Sequence, residues 1–151
     1  MITTRIATLA DLDAVAPLFD AYRQFYERAP DPALARQFIQ ERMRNNQSAI
    51  LLALDAGRAI GFCQLYPMFC SVEAKPIYVL YDLFVGADAR RAGAAKALLL
   101  AAEELAARNG KVRMDLSTAR TNRAAQCVYE SLGWSRDELF LTYNKRVDAS
   151  G

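Results

Sequence analysis

An apolar run that leads directly into an alanine-rich helix is the feature that most constrains this chain. Residues 81–85 read Tyr-Asp-Leu-Phe-Val, and a Gly-Ala-Asp loop separates them from the helix. Arg90 and Arg91 lie at the helix start, where the helix dipole disfavours cations. An anion held by helix N–H groups and arginine would compensate, and Gly93 and Ala95 carry no bulk to block its approach. This order of strand, loop and helix predicts an anion site.

A second helix start repeats this pattern. Arg120 and Arg123 flank it, with Thr121 and Asn122 between them as natural N-cap residues. Either arginine pair alone is explained equally well as solvated surface. The two pairs together, each just after a predicted strand, favour one shared polyanionic ligand.

The last helix carries a more specific pattern. Its sequence runs Asn122-x-x-Ala125-x-x-x-Tyr129 and ends at Gly133-Trp134. On periodicity alone, Tyr129 belongs to a buried face and is a structural tyrosine. Together with Arg-x-x-Gly-x-Ala, however, the pattern resembles the GNAT acyltransferase superfamily over about residues 2–147. One departure is Ala95, where many relatives have a second glycine, and we expect only a slightly tighter backbone approach there.

The resemblance implies direct transfer of an acetyl group from acetyl-CoA to a primary amine, without a metal. A backbone N–H near Leu83 would polarise the thioester carbonyl, and Tyr129 would protonate the departing thiolate. The resemblance also implies that the strand pairs with the pantetheine arm, that the loop before the alanine-rich helix holds the pyrophosphate, and that Asn122 contacts the coenzyme. The implied coenzyme-binding residues are Leu83, Phe84, Val85, Arg90, Arg91, Ala92, Gly93, Ala94, Ala95, Lys96, Asn122, Ala125 and Tyr129.

Asp82 is our candidate for the group that deprotonates the amine, directly or through a water. A carboxylate inside an apolar strand costs free energy unless it is paired. A nearby arginine or backbone amide would satisfy it equally well and leave it without a catalytic role. Asp82 could also simply attract a cationic amine.

Aromatic residues near the end of the first helix indicate the acceptor site. Tyr22, Phe25, Tyr26 and Glu27 precede a break at residues 29–32, Ala-Pro-Asp-Pro, where relatives form one wall of the acceptor cleft. Aromatic faces beside a carboxylate suit a cation. Helix packing explains Phe25 and one tyrosine just as well. The predicted substrate-binding residues are Tyr22, Tyr26, Glu27, Tyr81 and Asp82.

The order of elements predicts an α/β fold with a central mixed, mostly antiparallel sheet flanked by helices. At 151 residues without repeats or linkers, we expect a single domain over residues 1–148 and a short tail at 149–151. The first helix should bury Ala14, Leu18, Ala21 or Tyr22, and Phe25. Strands are also predicted over residues 111–117 and 139–147, with a helix over 122–132 between them.

Composition excludes several functions. The chain contains no histidine, so it cannot by itself assemble a Ser-His-Asp or Cys-His catalytic group or a histidine-ligated zinc site. A net charge of +2 is too mild to imply nucleic-acid binding. No secretory signal or membrane span is evident, so we expect a cytosolic protein that binds neither membrane nor nucleic acid. Cys63, Cys70 and Cys127 are expected to be reduced thiols.

Two other functions stay open. One is a CoA-binding regulatory module without turnover, against which the presence of Tyr129 argues. The other is an acetyltransferase that acts on a protein or peptide amine through a longer groove. The ending at residues 140–143, Phe-Leu-Thr-Tyr, resembles relatives that acetylate diamines, lysine-like amines or basic tails. A homodimer also stays open.

Overall fold

The computed structural model describes residues 1–90 and 93–149. These form two compact units, residues 1–117 and a second unit from residue 118 onward. Whether the chain is a single domain stays a prediction. The elements are β1 Ile2–Ile6, a 3-10 turn Leu9–Asp11, α1 Leu12–Phe25, α2 Pro32–Arg44, β2 Ala49–Asp55, β3 Arg58–Cys70, β4 Lys75–Val85, a 3-10 turn Ala87–Ala89, α3 Ala94–Arg108, β5 Met114–Asp115 and α4 Arg123–Ser131.

The first unit contains one sheet with strands in the order β1-β2-β3-β4-β5. Strands β1 to β4 pair antiparallel, and β5 pairs parallel with β4 at Tyr78 and Val79 only. Helices α1 and α2 cover one face through a core that includes Phe62 and Phe84, and α3 packs across the opposite face. The predicted mixed, mostly antiparallel sheet flanked by helices is confirmed.

Helix α1 buries a different set of residues from the predicted one. The buried apolar positions are Leu12, Val15, Ala16 and Phe19, at the spacing of one helix face. Of the predicted positions, Ala14, Leu18, Ala21 and Tyr22 are only partly buried and Phe25 is exposed. The prediction was therefore displaced by one helix position, because α1 carries two adjacent apolar stripes: one is buried in the core, and the other packs at its margin through Leu18, Ala21 and Tyr22.

A buried carboxylate fixes the connection between α1 and α2. Asp20 accepts a hydrogen bond from the backbone N–H of Asp31 at 2.9 Å and another from Gln24 Nε2 at 3.1 Å. Asp31 in turn caps α2 by accepting from the N–H of Leu34 at 3.1 Å, and Pro32 occupies the first turn. These bonds hold the connection that carries two of the predicted acceptor residues, Tyr26 and Glu27.

Close packing at Gly61 brings β3 against the end of β4. A Cβ atom there would lie 2.8 Å from the carbonyl oxygen of Phe84 and 3.2 Å from Cγ2 of Val85. Both contacts are shorter than an ordinary van der Waals separation, so a larger residue would displace the β4 backbone. Glycine at this position is therefore a requirement of the strand pairing.

The second unit contains α4, and it lacks one predicted element. Residues 140–149 form no regular secondary structure, so the predicted strand at 139–147 is wrong. The apolar side chains of Leu139, Leu141 and Tyr143 are exposed. A strand needs a hydrogen-bonded neighbour, and alternating apolar residues alone do not supply one. Likewise, only Met114–Asp115 of the predicted strand at 111–117 is formed.

In the part of the chain that the structure describes, no helix is both long enough and apolar enough to cross a membrane.

Candidate active site

The predicted anion site lies where β4 leads into α3. After Val85 the chain makes the short turn Ala87–Ala89, and α3 begins at Ala94. Gly93 precedes it in the left-handed conformation, with φ of +84° and open space around its Cα. Glycine adopts this backbone conformation without the steric cost that a side chain incurs. The candidate residues Arg91 and Ala92 lie outside the described residues.

The first turn of α3 is suited to an anion. It contains no acidic residue, and no side chain of the described residues caps its N–H groups. Uncapped N–H groups and the positive end of the helix dipole together favour a bound phosphate. Ala94 is buried against the sheet, Ala95 is partly buried and Lys96 is exposed, so the predicted residues lie along one helix start.

Arg90 is held beside this turn. Its Nε donates to the carbonyl oxygen of Val85 at 3.1 Å. Its guanidinium lies 5.5 Å from the ring centroid of Phe25 and 5.7 Å from that of Phe84. These contacts fix the arginine at the end of β4. No described residue accepts a hydrogen bond from its terminal nitrogens, which are donors suited to an anionic ligand.

One edge of β4 is open along its last residues. On one side, β3 pairs with Leu83, Phe84 and Val85 through Cys63, Phe62 and Gly61. On the other side, β5 reaches only Val79, and no strand of the described chain pairs with residues 80–85 there. The backbone groups on that side can therefore hydrogen-bond an extended ligand, as a sheet edge does.

A β-bulge interrupts β4 next to this edge. Gln64 pairs with Asp82 and Leu65 pairs with Leu80, so Tyr81 is an extra residue without a partner on β3. The Tyr22 hydroxyl donates to the carbonyl oxygen of Tyr81 at 3.2 Å. Bulges often re-aim side chains next to active sites. The bond from α1 therefore stabilises the irregular part of the strand.

Asp82 is buried in the sheet, with 3% of its surface exposed. Gln64 Nε2 donates a hydrogen bond to its Oδ2. Burial raises the pKa of Asp82, and hydrogen bonding by Gln64 and Tyr22 lowers it in part. No cation of the described residues forms an ion pair with it. The partner is thus a side-chain amide, and not the arginine or backbone amide that the sequence suggested.

Tyrosines surround this carboxyl group. Tyr22 contacts Tyr26 with ring centroids 5.2 Å apart, and Tyr81 contacts Tyr66 at 5.8 Å. Tyr81 is 67% exposed, so its ring is accessible from solvent. Burial raises the pKa of Tyr66 to about 12, and nearby Asp82 adds to the shift. The cluster offers aromatic faces beside one carboxyl group, which is an arrangement that suits a cationic amine.

Sequence analysis identified most of the residues around Asp82 but missed two of them. Gln64 and Tyr66 belong to β3, and neither follows a motif. Gln64 could have been noticed as the single amide within an apolar strand, at residues 59–69. Glu27 was predicted to take part, but it lies on the exposed loop after α1, with φ of +66°.

The other predicted residues lie on α4 in the second unit. Asn122 is its N-cap, and its Oδ1 accepts from the N–H of Ala125 at 3.2 Å. Tyr129 is partly buried, with its ring centroid 6.1 Å from that of Trp134. Arg120 and Arg123 are exposed at the helix start. The N-cap prediction is confirmed, whereas the coenzyme contacts of Asn122, Ala125 and Tyr129 stay predictions.

Comparison with known proteins agrees with this fold and sequence pattern. The chain is 45% identical to an uncharacterized N-acetyltransferase, YhfO of Bacillus subtilis, over 96% of its own length and 97% of the relative's. A crystal structure of a probable acetyltransferase superposes with a TM-score of 0.89 at 41% identity, covering 99% of both chains. The aminoglycoside N-acetyltransferase AAC(6')-Iy, solved in complex with CoA, shares the fold at 22% identity, with a TM-score of 0.80 and coverage of 97% and 96%.

The family model for the acetyltransferase (GNAT) family matches residues 15–134, which include the strand, the loop and both helix starts singled out above. Because that match spans most of the chain and a full-length relative shares nearly half of its residues, the chain belongs to the GNAT acetyltransferase family.

Proposed function

We propose that the chain transfers the acetyl group of acetyl-CoA directly to a primary amine of a small molecule or a lysine-like acceptor. Family membership makes it an acyl-CoA-dependent N-acyltransferase, and the finer assignment is our inference. The observation that carries it is Asp82, a buried carboxyl group without a cationic partner among the described residues, beside exposed aromatic rings. An ammonium group is the ligand that this arrangement lacks.

The end of β4 and the start of α3 fit the coenzyme. The uncapped turn after Gly93 is suited to its pyrophosphate, with Arg90 beside it. The open edge at residues 80–85 is suited to its pantetheine amides. Bound there, the coenzyme supplies an activated acetyl group as a thioester. A backbone N–H near Leu83 would polarise the carbonyl, and such a donor is typically worth about 2.7–4 kcal/mol.

Two side chains handle the protons. A lysine-like amine has a pKa of about 10.4 and must lose a proton before it attacks. Asp82 takes this proton, directly or through a water. The amine nitrogen forms a bond to the acetyl carbon, the carbon–sulfur bond breaks, and Tyr129 gives a proton to the thiolate. The second proton that the nitrogen loses as the amide forms returns to the Tyr129 phenolate through water, and Asp82 releases its proton to solvent. The products are the N-acetylated amine, free CoA and one proton, so atoms and charges balance.

The acceptor binds, in this proposal, against Tyr22, Tyr26 and Tyr81, with its ammonium directed at Asp82. Tyr26 and Tyr81 are exposed enough to contact an incoming molecule, whereas Tyr22 is partly buried. Glu27 on the exposed loop could attract a second positive charge of a diamine or a basic peptide.

A panel of amines tests the proposed function. With acetyl-CoA and detection of the released thiol, small diamines and lysine-like amines should give turnover above that of peptides with free amino termini. Turnover confined to peptides would favour the protein acceptor instead. Coenzyme binding without product from any amine would favour a regulatory module.

Acetyl-CoA should stabilise the folded chain, and Gly93→Val should abolish this effect. Coenzyme at 100 times its dissociation constant adds about 2.7 kcal/mol to the free energy of unfolding. Valine is strained at positive φ and would distort the pyrophosphate turn. Gly110→Val is the matched control, because Gly110 also has positive φ and open space but lies at the opposite end of α3. Equal thermal shifts in the two variants would place the pyrophosphate elsewhere.

Asp82→Asn should lower kcat/KM most near neutral pH, with a deficit that shrinks as pH approaches about 10.4, where the amine deprotonates by itself. The same variant should unfold at a higher temperature at neutral pH. The folded-state pKa of Asp82 is raised, so its stabilising contribution is lost as pH rises through that value. A uniform rise in KM with unchanged kcat would indicate that Asp82 only attracts the amine.

Tyr129→Phe keeps the ring but deletes the hydroxyl proton. Positioned proton transfer contributes about 10²–10⁴-fold, and a thiolate is a relatively good leaving group, so we expect kcat at least about tenfold lower with nearly unchanged coenzyme affinity. Tyr78→Phe is the control, since the Tyr78 hydroxyl accepts a structural hydrogen bond from Asn109 at 2.7 Å. It should lower stability and leave turnover intact. Wild-type kcat in Tyr129→Phe, where chemistry limits the rate, would make Tyr129 a packing residue.

A further inference from the structure

Gln64 is a polar residue in a place where an apolar one would pack. It is fully buried in β3, and its neighbours Phe62, Cys63 and Leu65 are fully buried as well. A buried primary amide costs free energy unless its donors and acceptors are paired. Leucine or methionine would fill the same space in the core. Packing therefore does not explain the amide group of Gln64.

Both ends of this amide have polar partners. Ser48 Oγ donates to Gln64 Oε1 at 2.7 Å, and Gln64 Nε2 donates to Oδ2 of Asp82. The strand register places Gln64 directly opposite Asp82. A flipped amide would direct its carbonyl oxygen at a carboxylate oxygen, and two acceptors repel each other. The carboxylate thus favours the one orientation in which Gln64 donates to Asp82, and the Ser48 hydroxyl satisfies the amide oxygen of Gln64 in that orientation.

We propose that Gln64, held at its amide oxygen by Ser48, is a positioning residue that holds Oδ2 of Asp82 and directs Oδ1 toward the acceptor amine. The inference rests on the proposed function, in which Asp82 takes the proton of the amine. Neither Gln64 nor Ser48 contacts the reacting atoms in this account. Their effect on the reaction passes through the orientation and ionisation of Asp82.

The donor from Gln64 opposes the effect of burial. Burial raises the pKa of Asp82, and the hydrogen bond lowers it because a donor stabilises the ionised form. Hydrogen bonds to charged groups are strong enough that losing this one should raise the pKa of Asp82 by about one to two units. The acidic limb of the activity profile should then move to higher pH by the same amount.

No other titratable group near Asp82 would produce a fall in activity on the acidic side of the pH profile. Burial raises the pKa of Cys63 to about 12 and that of Tyr66 to about 12, and it raises the pKa of Tyr22 above its ordinary value. A guanidinium stays charged throughout. The titratable and charged groups that face Asp82 or its immediate neighbours are Tyr22 and Tyr26 of α1, Arg42 of α2, Cys63 and Tyr66 of β3, and Tyr81 of β4.

The test uses two variants of the full chain. Gln64→Met removes the donor at nearly constant length, and Ser48→Ala removes only the hydroxyl that holds the amide oxygen of Gln64. For Gln64→Met, kcat/KM is measured against pH with the best amine of the panel. Its acidic limb should move to higher pH by about one to two units, and activity should recover at pH values above that limb. Ser48→Ala should move the acidic limb of kcat/KM in the same direction by less. Ser48→Thr keeps a hydroxyl group, so its acidic limb should lie at the wild-type pH.

A carboxyl ¹³C NMR titration of Asp82 provides a readout that does not depend on activity. Its midpoint should rise in Gln64→Met and, by less, in Ser48→Ala. Leu65→Met controls for loosened packing, and it should lower stability without moving the midpoint. If Gln64→Met fails to fold, the midpoint of Asp82 in Ser48→Ala still tests the positioning role, because Ser48 is only partly buried.

The outcomes separate this inference from the proposed function. Unchanged midpoints in both Gln64→Met and Ser48→Ala would overturn the positioning role, whatever the activity. A raised midpoint together with full activity in Asp82→Asn would keep the hydrogen bond but overturn Asp82 as the proton acceptor, and with it the catalytic part of the inference. A raised midpoint with a matching shift of the acidic limb supports both.

Discussion

The hydrogen bond between Gln64 and Asp82 joins the central strand β3 to β4 at the point where the proposed chemistry occurs. A carboxyl group on a residue with only 3% of its surface exposed needs donors, and the structure supplies a side-chain amide where a cation would have neutralised the charge. An ion pair within the protein would hold the carboxylate strongly ionised and leave it a poor base. With only a neutral donor, the carboxyl group keeps a raised pKa and an unmet preference for a positive charge. The substrate ammonium can supply that charge.

Strand β4 serves two requirements through its two edges. The edge against β3 fixes Asp82 opposite Gln64, and Gly61 allows the strands to approach closely near Phe84 and Val85. Along the opposite edge, no strand of the described residues pairs with β4 beyond Val79, so this edge can accept an extended ligand. The bulge at Tyr81 separates the regular part of the strand from the part with the open edge. A continuous partner along both edges would have stabilised β4 further and left no backbone groups for the coenzyme contacts that we propose there.

Features that depend on residues close together in the sequence could be predicted from it, whereas features that depend on distant residues could not. The turn before α3 and the N-cap of α4 follow from residues within a few positions, and Gly93 and Asn122 occupy the expected places. The partner of Asp82 was not predictable, because Gln64 lies 18 positions away and only the strand register brings the two together. The false strand at 139–147 has the same origin, since alternation shows a preference for extended structure and not the presence of a neighbour.

The displaced apolar face of α1 has a functional explanation. One stripe, with Val15 and Phe19, fills the core, and the adjacent stripe, which ends in Tyr22, turns toward β4. The ring of Tyr22 contacts Phe62 and Phe84 with centroids 5.9 and 6.3 Å apart, so it is anchored in the core. Its hydroxyl nevertheless reaches the carbonyl of Tyr81 and influences Asp82. A helix that must both pack and hold an irregular strand needs an apolar face wider than a single stripe, and tyrosine combines the two tasks because its ring is apolar and its hydroxyl is polar.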